Sequence, residues 1–180
     1  MKILILNGSP LQNGNTSYAM AAIADGISEN TQHDVEIINV TRLKIGGCIA
    51  CEGCKKNGGN CIMNDDTKST IEKIYAADVL IFGSPVYWFG ISAQLKTVLD
   101  KFHSRSALFK KQSKKLGVVA IGAEEVDNKQ YELIHDQFRC VCKYLGWENA
   151  FNFSYSAGAP DDLQKSASAA RELSEAWKTL

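Results

Sequence analysis

Four cysteines, Cys48, Cys51, Cys54 and Cys61, fall within fourteen consecutive residues in the order Cys-x2-Cys-x2-Cys-x6-Cys. Gly46 and Gly47 precede them, and Gly53, Gly58 and Gly59 interrupt them, so the backbone is free to turn several thiolates toward one point. Thiolates are soft ligands that suit iron-sulfur clusters and zinc. A triplet at three-residue intervals, met by a fourth cysteine from a short excursion, can wrap a cubane corner by corner. Tetrahedral zinc uses overlapping Cys-x2-Cys pairs, usually two separated ones. A third reading is a loop that holds no metal. Cys140 and Cys142 lie in a helical pattern with Cys142 near the apolar stripe and Cys140 opposite, so they diverge and read as structural.

A second chemistry-bearing stretch runs from Gly8 to Ser17, Gly-Ser-Pro-Leu-Gln-Asn-Gly-Asn-Thr-Ser. Its hydroxyls, amides and backbone N–H groups meet the positive end of a following helix, which is what a phosphate needs. There is no Gly-Lys-Ser/Thr and no dinucleotide fingerprint, which argues against magnesium-nucleotide chemistry. The plainer alternative is a glycine-rich turn with Asn15 or Thr16 as N-cap. A third stretch, Pro85-Val86-Tyr87-Trp88-Phe89-Gly90, sets three adjacent aromatics after an apolar run. They suit a planar ring, or else core or dimer contacts.

The elements that must position these stretches alternate along the chain. Ile3–Leu6 and Val79–Phe82 are continuous apolar runs, as expected of parallel strands buried on both faces; the second is expected to end in a turn at Gly83-Ser84-Pro85. His33–Val40, Leu116–Ile121 and Phe151–Tyr155 read as the other strands. Helices are expected over Thr16–Glu29, from a cap at Asp66 or Thr67 (with Ser69 and Glu72 as a competing capping box), over Ile91–His103 and over Lys129–Leu145. A closing helix is expected over Asp161–Leu180, with Leu163, Ala167, Ala170 and Trp177 inward. Alternating strands and helices predict one α/β domain over 1–180, a flavodoxin-like five-stranded parallel sheet of order 2-1-3-4-5 with helices on both faces. In that order ligands sit at the carboxyl ends of the first and third strands. The stretch 41–66 is the only long segment without periodicity, as a functional insertion would be.

Lys plus Arg and Asp plus Glu number twenty each, so charge gives no reason to invoke nucleic acid or a membrane surface. No apolar run is long enough to span a bilayer, and the first is too short for a signal-peptide core. A cytoplasmic location is therefore expected, where clustered cysteines read as metal or redox groups before disulfides. His33, His103 and His135 read as surface residues without a role, and Lys110–Lys115 as a solvated turn.

Gly8-Ser9-Pro10 with Gly14-Asn15-Thr16, and Gly83-Ser84-Pro85-Val86-Tyr87-Trp88 followed by Gln94-Leu95-Lys96 and Asp100, resemble the NADPH-dependent FMN reductase group of flavodoxin-like proteins over about residues 1–125. The resemblance implies FMN with its phosphate on Ser9, Asn15, Thr16 and Ser17, with Pro10 also among the cofactor-binding residues, and its ring against Pro85, Val86, Tyr87, Trp88, Phe89 and Gly90. A loop from Gly122 to Val126 would approach the ring edge. Members of that group often carry Arg where this chain has Leu11, which leaves more of the anion to the helix dipole and hydroxyls. Within the group, the cysteine spacing is similar to that of the iron-sulfur flavoproteins, which implies a [4Fe-4S] cluster on Cys48, Cys51, Cys54 and Cys61. The implied function is passage of electrons from a ferredoxin-like donor through the cluster to FMN and an acceptor, in a homodimer or homotetramer. The alternatives are an NAD(P)H-dependent FMN or quinone reductase without a cluster, and a zinc-stabilised, non-catalytic partner-binding protein.

Overall fold

Along β1 (Lys2–Asn7) the side chains alternate between two apolar environments, which is why the run has no polar face. Ile3 and Ile5 pack with Ala19, Met20, Ile23 and Ile27. Leu4 and Leu6 pack with Ile71, Ile74, Leu95 and Phe138 on the other side. The computed structural model describes residues 1–180. Its five strands, β1, β2 (Asp34–Asn39), β3 (Val79–Pro85), β4 (Lys115–Gly122) and β5 (Glu148–Ser156), form one parallel sheet in the order β2-β1-β3-β4-β5. Parallel strands need crossovers, and here those crossovers carry helices to both faces.

The first face is covered by α1 (Asn15–Asn30), together with the C-terminal helices described below. The opposite face takes α2 (Thr67–Ala76), α3 (Ala93–Asp100) and α5 (Lys129–Leu145), with the one-turn α4 (Ser106–Phe109) between β4 and a 3-10 segment, Lys101–Arg105. No helix is long and apolar enough to cross a membrane.

Several boundaries differ from the sequence-based expectation, each for a local reason. The expected turn at Gly83-Ser84-Pro85 stays in β3 and pairs with Val119, Ala120 and Ile121. Proline is tolerated there because it ends the strand, and glycine is needed because a Cβ on Gly83 would lie 2.3 Å from Met20 Sδ. β5 starts at Glu148, where a register shift opposite Leu116 and Gly117 admits an extra residue. Helix α1 is capped by Gly14 without a side-chain bond, so neither Asn15 nor Thr16 is its cap. At α2 the N-cap is Asp66, but the carboxylate that accepts from Thr67 N is Asp65, at 2.9 Å.

The expected closing helix is broken at Ser166 into α6 (Asp162–Lys165), α7 (Ala167–Ser174) and a 3-10 turn over Ala176–Thr179. The Ser166 hydroxyl accepts from Ala169 N at 3.3 Å and starts a new helix. That resets the phase: Ala169, Leu173 and Ala176 are buried in place of Ala167 and Ala170, and Trp177 is only partly covered.

Two side chains expected at the surface, His135 and Lys114, are buried, whereas His103 is exposed as expected. His135 is buried against β5, with Nε2 3.4 Å from Ser154 Oγ; burial pushes its pKa down. Lys114 is also buried, closing the C-terminal end of α2 through bonds to the Tyr75 and Ala77 carbonyls. His103 has a partner, described below. Cys142 is buried and Cys140 exposed, as the helical phase predicts.

Candidate functional site

Two sites, at opposite ends of α3, take up the three stretches. At the carboxyl end of the sheet, the loop after β1, the start of α1, the end of β3 and the loops after β4 and β5 line a cavity of about 250 Å³. Ser9, Asn15, Thr16, Pro85, Val86, Tyr87 and Gly122 all face it. A wider opening of about 740 Å³ shares Val86 and Tyr87 with it and adds Trp88, Phe89, Glu124, Asn128 and Gln130.

The phosphate stretch is organised from within. Asn7 Oδ1 accepts from Ser9 N at 3.0 Å, Ser9 Oγ accepts from Leu11 N at 3.1 Å, and Ser17 Oγ donates to Leu11 O at 2.8 Å. Ser9 and Ser17 thus spend hydroxyl bonds on holding the loop, and Ser17 and Pro10 do not line the cavity. The N–H groups of Asn15, Thr16 and Ser17 have no acceptor in the chain, α1 has no acidic residue in its first turn, and the Thr16 hydroxyl makes no bond. Uncapped donors at the positive end of a sixteen-residue helix suit an anion. The residues present therefore fit a phosphate.

A residue group that sequence reasoning missed completes this cavity. Ala157, Gly158, Ala159 and Pro160 form its far wall. Asn15 ties them in: its Nδ2 donates to Ala159 O at 2.7 Å and its Oδ1 accepts from Leu163 N at 3.0 Å. The signal was topological, since the loop follows the carboxyl end of a strand in an open parallel sheet. The loop after β4 is anchored by another missed residue, Tyr131, whose hydroxyl donates to Glu124 O at 2.7 Å. At Gly122 a Cβ would meet Gln130 Nε2 at 2.8 Å and Val86 Cβ at 3.1 Å, so glycine is what lets the wall close.

Trp88 and Phe89 do not lie flat in a core. Both have left-handed backbones, at φ of 48° and 64°, and Trp88 is 95% exposed. Gly90 closes the turn and lines neither cavity.

The second site lies past the far end of α3. Cys48, Cys51, Cys54 and Cys61 all line one small cavity of about 30 Å³, with Lys101, His103 and Ser104 in the opposite wall. Ala50 and Glu52, either side of Cys51, are left-handed at φ of 53° and 55°. Every left-handed residue other than glycine therefore lies in the cysteine stretch or the aromatic turn. Such strain persists where surrounding structure enforces it and marks candidate functional loops.

The enforcing contacts come from the 3-10 segment and the helix after it. Lys55 Nζ donates to His103 O at 2.6 Å, His103 Nε2 lies 2.9 Å from Glu52 Oε1, and Arg105 Nη2 donates to Asn60 Oδ1 at 2.5 Å. Lys101 Nζ lies 3.1 Å from Met63 Sδ and 3.9 Å from Cys61 Sγ. Behind the loop, burial pushes the Asp65 carboxyl up, but the Thr67 side chain, the N–H groups of Gly46 and Thr67, and Lys101 together hold it below its usual value. No three His, Cys, Asp or Glu side chains close on a point that would hold a single metal ion. The Ser104 hydroxyl is buried in the wall without a partner. Four cysteine sulfurs lining one cavity, a buried ammonium and an unpaired hydroxyl donor suit a sulfur-rich anionic group by their chemistry, while the cavity of about 30 Å³ would have to widen to admit one.

Residues 1–145 match the family model of NADPH-dependent FMN reductase. An iron-sulfur flavoprotein of Methanocaldococcus jannaschii is 34% identical over 140 residues, covering 77% of this chain and 72% of its own. A protein of Bacillus subtilis named as an NAD(P)H-dependent FMN-containing oxidoreductase is 31% identical over 153 residues, covering 81% and 80%. An Archaeoglobus fulgidus iron-sulfur flavoprotein, 33% identical over 101 residues, is matched over 48% of its length, about half. Among solved structures, the NAD(P)H:quinone oxidoreductase from Methanothermobacter marburgensis has a TM-score of 0.74 at 18% identity, covering 99% and 98% of the two chains, which is a likeness of fold. The chain belongs to the NADPH-dependent FMN reductase family, an FMN-binding group of flavin-dependent oxidoreductases in which it has iron-sulfur flavoproteins among its relatives.

Proposed function

We propose that this protein is an iron-sulfur flavoprotein that takes electrons singly at the cysteine site and delivers them to an acceptor at the flavin site. The observation that carries the reading is that all four cysteines face one cavity in a chain of an FMN-binding family. A [4Fe-4S] cluster would supply one-electron chemistry, and FMN the exchange between one- and two-electron steps. No side chain is needed as nucleophile or general acid. Cys48, Cys51, Cys54 and Cys61 would hold the cluster. The uncapped start of α1, with Asn15 and Thr16, would hold the FMN phosphate, and Pro85, Val86, Tyr87 and Gly122 would bound the ring.

The cysteine cavity has room for roughly one or two waters. Cys48 and Cys51 are exposed, so their arm can move outward without unburying a core. The two sites share no lining residue, and α3 alone spans about 12 Å between them at 1.5 Å per residue. Transfer between copies of the chain is part of the proposal because Trp88 and Phe89 offer an exposed apolar contact for a second copy. A ferredoxin-like protein is the proposed donor, in a reducing cytoplasmic setting that keeps the thiolates free.

Anaerobic reconstitution of the full chain with FMN, iron and sulfide tests the reading. About four iron and four sulfide per bound FMN support it. Zinc in place of iron, or no metal with FMN fully bound, overturns it.

The open region of about 740 Å³ beside Tyr87, Trp88 and Glu124 favours a second reading, direct reduction of FMN by NAD(P)H docked at the ring edge. Fast, saturable flavin reduction by NADPH in stopped flow, unaffected by loss of the cysteines, would favour that reading over the first.

A further inference from the structure

Lys101 is 3% exposed, and its ammonium has no carboxylate within ion-pair distance. Its neighbours are the sulfurs of Met63 and Cys61. The acidic groups around it are otherwise engaged: Asp65 accepts from Gly46 N and Thr67 N, Asp100 pairs with Lys96, and Glu52 pairs with His103. A buried cation that touches no carboxylate and is felt by Asp65 only at a distance is costly, so its presence points to an anion that belongs at this wall.

Ser104 makes the same point independently. Its hydroxyl is buried and has no partner. Both residues belong to the 3-10 segment Lys101–Arg105, in which side chains three apart eclipse one another, so the segment turns both toward the thiols. An α-helical continuation of α3 would rotate Ser104 away from Lys101 by about a sixth of a turn.

We propose that Lys101 and Ser104 are positioning residues that raise the reduction potential of the thiolate-held group, Lys101 by its charge and Ser104 by donating a hydrogen bond to sulfur. The inference rests on the cluster reading above. Gaining an electron makes a thiolate-ligated cluster more negative, so a fixed positive charge and a hydrogen-bond donor favour the reduced form. Nothing in either role requires Lys101 to gain or lose a proton.

The test uses the full chain, reconstituted anaerobically with FMN, iron and sulfide, as wild type, Lys101→Met, Lys101→Arg and Ser104→Ala. Iron and sulfide content is measured first, then the midpoint potential by EPR-monitored titration. Lys101→Met should shift the one-electron equilibrium about tenfold toward the oxidised form, a potential about 59 mV lower. Ser104→Ala should shift it the same way by less, and Lys101→Arg, which keeps the charge, should stay near wild type. A residue that only supported the loop would lower stability and leave the potential of the assembled protein where it was. Unchanged potentials in Lys101→Met and Ser104→Ala at full iron content overturn the inference and leave the cluster reading standing. Should Lys101→Met fail to assemble, Lys101→Gln and Ser104→Ala carry the measurement with the same criterion. Wild type that takes up no iron overturns both.

Discussion

Tyr87 and Gly90 bond to each other twice, Tyr87 N to Gly90 O at 2.9 Å and Gly90 N to Tyr87 O at 3.1 Å, and the two residues they enclose are both left-handed. A two-residue turn of this hand selects Asn-Gly, yet it holds Trp88 and Phe89. Non-glycine residues in that conformation cost on the order of 1–3 kcal/mol each. The double change Trp88→Asn, Phe89→Gly should therefore raise the apoprotein's stability by about 1–3 kcal/mol in denaturant unfolding. The same change should weaken the self-association proposed above, read by light scattering, because it removes the exposed aromatic tip.

The pH dependence of stability should carry the mark of Lys114. Burial pushes its pKa from the ordinary 10.5 down to about 8, with Asp78 pulling the other way. Below pH 8 both folded and unfolded chains hold the proton, and the fold bears the full cost of burying the charge. Between about 8 and 10.5 the folded protein sheds the proton while the unfolded chain keeps it, so this residue's contribution to stability rises with pH. Lys114→Met should lack that rise, and at neutral pH it leaves the Ala77 carbonyl without its donor, at about 1–3 kcal/mol, while the Tyr75 carbonyl keeps Gln112 Nε2. Chemical denaturation of both proteins from pH 7 to 10.5 measures the difference.

Asn15 links the start of α1 to the wall formed by residues 157–160. Asn15→Ala should lower FMN affinity about tenfold, some 1.4 kcal/mol, and leave riboflavin, which has no phosphate, nearly unaffected. Titration of flavin fluorescence with both ligands decides. An equal loss for the two would place the damage at the ring.

The strands were legible because burial on both faces leaves its mark on every residue of a run, as in Ile3–Leu6 and Val79–Phe82. The cysteines and the phosphate stretch were legible because their chemistry is local in sequence. What joins them was not. His103 meets Glu52 across 51 positions, and Arg105 meets Asn60 across 45, with no periodicity to announce either contact. Lys114 and His135 looked solvated because a polar side chain reads the same whether it faces water or a buried partner. The closing helix was misjudged at Ser166, where one hydroxyl reset the phase of everything after it.

Arg105 holds the cysteine stretch against the body of the protein. It donates to Asn60, lies 3.5 Å from Glu72 and stacks 5.5 Å from the centre of the Tyr75 ring. Arg105→Met should cost on the order of 1 kcal/mol globally, since Glu72 is half exposed. It should also open residues 48–61 locally, seen as several-fold faster proteolysis within that segment.

Gly26 tests the packing of α1 on α7. Alanine in a helix interior is ordinarily better than glycine by about 0.5–1 kcal/mol. Here the added Cβ would lie 2.1 Å from Ser174 O, a backbone atom that cannot swing aside. Gly26→Ala should lower stability by about 1–3 kcal/mol, the reverse of the usual sign.

Helix α3 behaves as a screw of fixed pitch between two fittings. Ser92, bonded through its N–H to Ser84 Oγ, locks one end to the end of β3, and the Lys101–Arg105 segment locks the other to the thiols. One residue inserted within α3 would advance the far end by 1.5 Å and turn it by about 100°. Lys101 and Ser104 would then face away from the cysteines, while the near end stayed unchanged. Residues added at Gly58, the exposed tip between Cys54 and Cys61 where a Cβ would meet nothing within 4 Å, would lengthen only that tip. Variation in length is thus tolerable on the cysteine side of the second cavity and not on the helical side.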